Sequence, residues 1–517
     1  MYFNSNDLKE NFFHERKESL DKTQIKHHAS STAGILLDKN LFRNDECIEM
    51  RKAFFNLLNS ALPSIFALFF VFINDTVNLI FAGKKFSSAE ISAIGLGTFY
   101  VNSVGYILGI GILGGIDTIC SHAWGAKQYH VVGLFINTAR VCLFIFSLFI
   151  ITPFILLSGS FIRRLNLEED VIELTIRYSK SLIPYVFFSL QHNANVRYLQ
   201  SINIFYPGMI VAVTTAILHS FFCYLVIHYT NLGIEGIGYL MGLNSVLNFS
   251  LLIGYIFYIN PHSETNINFL SSSSFEIKRI YDFLKLAIPS AIMFSADWIG
   301  FDLIILLSSW INNASLATNV VLCTFSKLIE TIPLGFSFAA TFYIGKCMGS
   351  SRCKSAKVYA LISGIFGIFI IIILSILLYV LKDKISFIYS NEADIIEIIH
   401  KVHQTYMCFI IIDVILIILN GIVKGIGKQK PASVFVIFVL YAINLPLGIT
   451  LAFIINYVNI GLWMSQLTSA LLLTVSYVIL LTLLNWETIS TRAIIKLKYI
   501  NDTLKRKSEI FVSAKLN

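Results

Sequence analysis

A chain of 517 residues that is 56% hydrophobic and only 14% charged has too little polar surface for an ordinary soluble protein and too much apolar sequence for a disordered one. Its net charge of +8 is modest for this length; in a membrane protein it reports orientation, and it gives no case for nucleic-acid binding. The eight cysteines are scattered, and the nearest pair in a polar stretch, Cys347 and Cys353, lacks CxxC spacing, so neither a disulfide framework nor a zinc site is indicated.

Residues 1–55 are mixed and polar, with no apolar segment of a secretory signal, and read as a cytoplasmic tail. Apolar runs bounded by Gly, Asn, Pro or charge then give about twelve spans of bilayer length. They fall at 56–82, 91–118, 131–157, 178–200, 205–229, 233–259, 285–310, 315–346, 356–381, 401–425, 432–456 and 461–484. The runs are continuously apolar, as at 364–381, and do not alternate as barrel strands do. The expected fold is therefore an all-α polytopic membrane protein of twelve transmembrane helices in two pseudo-symmetric six-helix lobes around a central cavity. The amino-terminal lobe would occupy 56–260, a cytoplasmic linker with an SSSS run 261–284, and the carboxy-terminal lobe 285–484. A basic cytoplasmic tail, 485–517, follows; Ile494, Ile495, Leu497 and Ile500 are spaced for an amphipathic helix on the inner leaflet.

The two halves resemble each other at an offset of roughly 225 residues, as in many transporters built from internal repeats. LNSALPS, ending at Pro63 and Ser64, matches LKLAIPS, ending at Pro289 and Ser290. Gly111 and Gly125 are separated as Gly335 and Gly349 are, and Gly236 matches Gly461. Six spans return the chain to its starting side, so the copies are parallel. Basic residues such as Lys127, Arg197, Lys278, Arg279, Lys346, Arg352 and Lys430 gather on the side of both termini, which predicts that both termini are cytoplasmic.

Carboxylates inside spans are costly and normally face a bundle interior or a watery cavity. Asp75 lies in the first predicted helix, Asp297 and Asp302 in the seventh and Asp413 in the tenth. Five residues put Asp297 and Asp302 about 140° apart on a helix, so they point to different places. In the eighth, Lys327 and Glu330 are spaced to pair on one helix face and read as a buried ion pair. Asn74 and Thr76, beside Asp75, offer oxygen ligands for a second small-cation or proton site. Aromatics such as Phe99, Phe187, Phe294 and Phe301 are candidates for cation–π contact with a flat cation.

The segment GIGILGGIDTICSHAWGAKQYHVVG, beginning at Gly109, closely resembles the signature of the multidrug and toxic compound extrusion (MATE) transporters, in their eukaryotic form. RYLQSINIFYP from Arg197, IPLGFSFAATFYIGKCMG in the eighth helix, KGIGKQ from Lys424 and NWE from Asn485 resemble further motifs of the family, in the same order. The resemblance spans about Leu57 to Glu487. It implies a cavity between the lobes that opens alternately to each side and exports organic, often cationic, compounds in exchange for protons or sodium. It also implies that Asp297, Asp302 and Asp413 carry coupling and substrate binding, with Asn102 a polar cavity residue. The family's seventh-helix acids are usually Glu, one methylene longer. Asp75 resembles the acid of bacterial members, which suggests a second acidic site. No cofactor or metal is implied beyond the ion gradient, and the expected partners are organic cations and the lipid bilayer, with the protein a monomer. A lipid-linked sugar flippase of related fold is the alternative; it would favour a basic cavity, whereas the central charges here are mostly acidic. A membrane-embedded enzyme finds no motif in His192, His219 and His403, and a channel finds no filter-like repeat.

Overall fold

A computed structural model describes residues 47–164, 169–265, 275–389 and 393–516, and the described residues form helices and connecting turns. Among the described residues, eleven helices are long and apolar enough to cross a membrane. They are α1 (Met50–Gly83), α2 (Ala89–Gly125), α3 (Tyr129–Leu156), α5 (Tyr206–Tyr229), α6 (Gly233–Ile259), α7 (Ile277–Ser309), α8 (Ala314–Gly349), α9 (Cys353–Ile376), α10 (Ile396–Ile426), α11 (Gln429–Ile454) and α12 (Val458–Leu483). The remaining expected span, α4, consists of Glu169–Ser181 and Ile183–Ser201, which meet at Leu182 just ahead of Pro184. It is too polar to register as an apolar span because its polar groups are used inside the lobe. Gln191 donates to the Arg140 carbonyl at 3.0 Å, and the buried Arg140 guanidinium donates to Asn195 at 3.1 Å and Asn137 at 2.8 Å. A polar residue is tolerated at membrane depth when protein supplies its partners. A final helix, α13 (Trp486–Leu516), follows the last span.

Local sequence explains several boundaries. Ser87 and Glu90 form a reciprocal capping box at the start of α2, which satisfies two orphan N–H donors. Asn312 caps α8 by accepting from the Ser315 N–H at 2.7 Å. The repeat is also written in the backbone. Lys127 and Ser351 both adopt positive φ (57° and 60°) 224 residues apart, as do Asn203 and Gly427 (68° and 82°). These left-handed residues end α2, α8, α4 and α10, where a terminating turn collects otherwise orphaned carbonyls.

Three buried clusters show how the lobes are tied together. One runs through the carboxy-terminal helices but also contains Ala53, Leu57 and Ala61 of α1. A second fills the amino-terminal lobe near the termini and contains Phe283, Ala287 and Ala291 of α7. A third fills the far end of the amino-terminal lobe, where Ala82 of α1 lies, and α7 from Met293 onward packs in the first cluster. Thus α1 and α7 each start in the opposite lobe's core and finish in their own. Pro63 and Pro289 lie inside these helices, each removing a backbone hydrogen bond.

The α13 helix crosses the terminus-bearing side of both lobes. Trp486 is buried in the first cluster and Leu497 in the second. The Ser490 hydroxyl donates to the Met348 carbonyl at 2.6 Å, and Lys496 pairs with Asp282 at 3.3 Å. Leu497 and Ile500, expected to face lipid, pack on protein instead: an amphipathic pattern specifies an apolar partner without saying which one.

Candidate functional site

On the side of the termini the lobes are closed mainly by small residues and neutral hydrogen bonds, with a charged side chain, Arg197, reaching across. A methyl group on Gly125 of α2 would strike the backbone of Lys346 in α8, and one on Gly349 of α8 would strike the backbone of His122 in α2. Two helix ends related by the repeat therefore touch main chain to main chain, and glycine is required at both. Thr118 donates to the Lys424 carbonyl at 2.9 Å and His122 Nε2 donates to the Gly425 carbonyl at 2.7 Å, while Gln429 hydrogen-bonds Thr118. Lys424 and Gly425 lie in the last turn of α10, whose carbonyls have no partner within a helix. Side chains of one lobe thus cap a helix of the other. Ser60 of α1 meets Tyr343 of α8 at 3.1 Å, Tyr343 donates to Asn203 at 3.1 Å, and Asn56 donates to Tyr359 of α9 at 2.9 Å. Arg197 of α4 lies 3.7 Å from Asp117 and 3.5 Å from the centre of the Phe338 ring in α8.

Toward the opposite side lies a cleft with charged walls. Asp302 of α7 accepts a hydrogen bond from Ser103 of α2 at 3.0 Å, across the lobes. Trp298, one turn earlier, stacks on Phe72 of α1 with ring centres 6.4 Å apart and planes 11° from parallel. Lys327 of α8 holds its ammonium 4.8 Å from the centre of the Trp298 ring and interacts electrostatically with both Asp302 and Asp75. Lys327 is therefore engaged with the cleft, in addition to the Glu330 on its own helix with which its spacing suggested a pair. An aromatic face and two carboxylates hold an ammonium by cation–π attraction and Coulomb attraction together.

Asp75 is exposed by surface area, and its charge also acts on Tyr106 and Tyr185 of the amino-terminal lobe. Its neighbours do not converge on it. Asn74 is buried, and Thr76 donates to the Phe72 carbonyl at 3.3 Å, because successive residues on a helix point about 100° apart. Buried Asn78, one turn on, is hydrogen-bonded to His219 at 2.9 Å. Asn102 opens a π-helical turn over Asn102–Tyr106, a local bulge of a kind that often marks functional sites. This bulge presents Ser103 to Asp302.

Asp413 lies apart from Asp302. It is 5% exposed and lines a small cavity within the carboxy-terminal lobe, bounded also by Phe301, Phe409, Asn444, Gln466 and Ser469. Asn444 donates to Gln466 at 2.8 Å. The cavity measures about 30 Å³, room for a water or a bare cation and not for an organic molecule. Phe301 and Asp302 are successive residues of α7, so one helix presents adjacent side chains to the cavity and to the cleft. Asp297 is in α7 next to Ala296, which also lines the cavity; its side chain lies outside the described residues. The expected acids are thus divided between two places.

The sequence reading missed Phe72, Trp298 and Ser103 as cleft residues, and Tyr343 as a link between lobes. Asn102, its polar neighbour in the sequence, was the one local signal for Ser103; the others depend on how the lobes face each other.

Two repeated bundles, closed on one side and divided on the other by a charged cleft, define a polytopic membrane transporter. The family model for MatE matches residues 63–225 and again 289–450, so the protein belongs to that family. Protein DETOXIFICATION 9 of Arabidopsis thaliana is 28% identical over 403 residues, covering 78% of this chain and 83% of the relative. Multidrug and toxin extrusion protein 1 of Xenopus tropicalis is 24% identical over 437 residues, covering 84% and 75%. Among solved structures, the eukaryotic MATE transporter AtDTX14 superposes with a TM-score of 0.83 at 20% identity, over 87% of this chain and 99% of that one. A transporter of the MOP superfamily from Pyrococcus furiosus, described as having a binding pocket of reversed polarity, superposes with a TM-score of 0.73 at 16% identity, over 86% and 96%.

Proposed function

We propose that this protein exports organic, often cationic, compounds in exchange for protons or sodium by alternating access, with both termini cytoplasmic. The observation that carries this reading is the separation of its acids. Asp302 and Asp75 lie where groups of both lobes face each other, whereas Asp413 borders a cavity of about 30 Å³ within one lobe that suits only water or a small ion. Substrate and coupling ion then have different seats joined by α7. Charging or neutralising the acid in the small cavity alters the electrostatics of the adjacent turn, and a desolvated carboxylate makes that influence strong.

In this reading Asp413 and Asp297 couple the gradient, Asp302 and Asn102 lie on the substrate side, and Asp75 modulates from the amino-terminal lobe. The protein acts as a monomer and needs no cofactor besides the gradient. Purified protein in proteoliposomes, given a fluorescent organic cation and either a proton or a sodium gradient, tests this directly. Dye movement driven by one gradient and abolished by its collapse is expected. Movement indifferent to both gradients would overturn it.

A further inference from the structure

The cleft holds a cationic group of the protein's own, the side chain of Lys327. Lys327 sits 4.8 Å from the Trp298 ring centre, within the roughly 6 Å over which a cation is attracted to an aromatic face. That ring is backed by Phe72 on the amino-terminal side, at 6.4 Å and nearly parallel, and Phe294 lies 6.3 Å away. The two acids that share the charge of Lys327 come from different lobes, Asp75 from α1 and Asp302 from α7, and Asp302 is held by Ser103. An amine-bearing aromatic substrate would seek these same contacts.

We propose that Lys327 is a tethered cation occupying the aromatic subsite of the cleft, and that it selects against simple organic monocations and for aromatic cations that carry their own carboxylate. This rests on the export reading and names its substrate class. A bare monocation reaching Trp298 meets like charge at short range, a repulsive element that discriminates as effectively as an attractive one. A zwitterion relieves that conflict. Its carboxylate takes the Lys327 ammonium off the ring, and its cationic ring system takes the vacated face beside Asp302. The ammonium keeps a partner throughout, so no charge is stranded in the cleft.

Rhodamine B and its ethyl ester form a matched pair: the same aromatic cation with and without a free carboxylate. Equilibrium binding of each to the purified full-length protein is read by fluorescence anisotropy, with no gradient present. The parent protein should bind rhodamine B about tenfold more tightly than the ester, the scale of one cation–π contact. Lys327→Met should reverse that order by strengthening ester binding about tenfold and weakening rhodamine B, while Lys327→Arg should keep the parent's preference. The proposal falls if the parent binds the ester as well as rhodamine B, a result that needs no variant to fold. It falls equally if Lys327→Met leaves the ratio of the two affinities unchanged. If neither dye binds the parent, the export reading falls with it; if both bind without the expected ratio, only the role of Lys327 is lost.

Discussion

The two ends of the lobe interface are built from different materials. Near the termini, glycines and backbone carbonyls meet hydroxyl, phenol and imidazole donors, with Gly125 against Lys346, Gly349 against His122, and His122 on the Gly425 carbonyl. At the other end the facing groups are Asp75, Asp302 and Lys327 with an aromatic stack between lobes. Neutral hydrogen bonds exchange readily for water, each at a net difference of about 1 kcal/mol. Opposite charges that face each other across a cleft respond to any charge that binds between them. One end is thus suited to closing and reopening, and the other to sensing cargo.

The sharpest way to break this arrangement is steric. Gly349→Val should prevent the ends of α2 and α8 from meeting, reduce transport to background, and lengthen the distance between spin labels on the two helix ends. A normal distance with normal transport would show that the contact is dispensable. Asp413→Asn comes next: it keeps side-chain shape and removes a titratable charge, so gradient-driven efflux should be lost at unchanged protein level. Asp297→Asn should behave alike, and Asp297→Glu should keep activity. Normal coupled efflux by both Asn variants would remove the carboxy-terminal lobe from the coupling scheme.

Smaller effects sharpen the contrast. Asp75→Asn should leave residual transport with a displaced pH profile; coincident profiles and rates would leave coupling to the other acids alone. Thr118→Val and His122→Ala each remove a cap on α10 and should shift the balance between open and closed states by about fivefold, the equivalent of about 1 kcal/mol. Combined with each other they should approach additivity only if the two caps act independently, which the spin-label distance distribution can decide.

The repeat was legible because it is carried by residues with backbone consequences. Pro63 and Pro289 mark equivalent places in α1 and α7, and the family match restarts at an equivalent point, 63 and then 289. The spans were legible from apolar runs, α4 at 178–200 included, although its buried Arg140 network uses amides that lower its hydropathy. The acids could be found as anomalies within spans. Their separation could not, since a five-residue spacing gives an angle and not a destination. Lys327 shows the same limit: its spacing pointed only to Glu330 on its own helix, whereas the Trp298 face and the carboxylates of two other helices are reached through the fold.

The position of α13 has a mechanical consequence. From Trp486 in one core to Leu497 in the other is eleven residues, a rod of roughly 16 Å, fastened by Ser490 to Met348 and by Lys496 to Asp282. A rod fastened at two points limits how far its anchors can separate. When the lobes part on this side, α13 must release one anchorage, either Trp486 with Ser490 or Leu497 with Ile500, Lys496 and Tyr499 beside Lys278, and release of the second frees the far end of the helix. The end of the chain would then swing as a pointer, making the carboxy terminus a place from which the transport cycle can be read from outside the membrane.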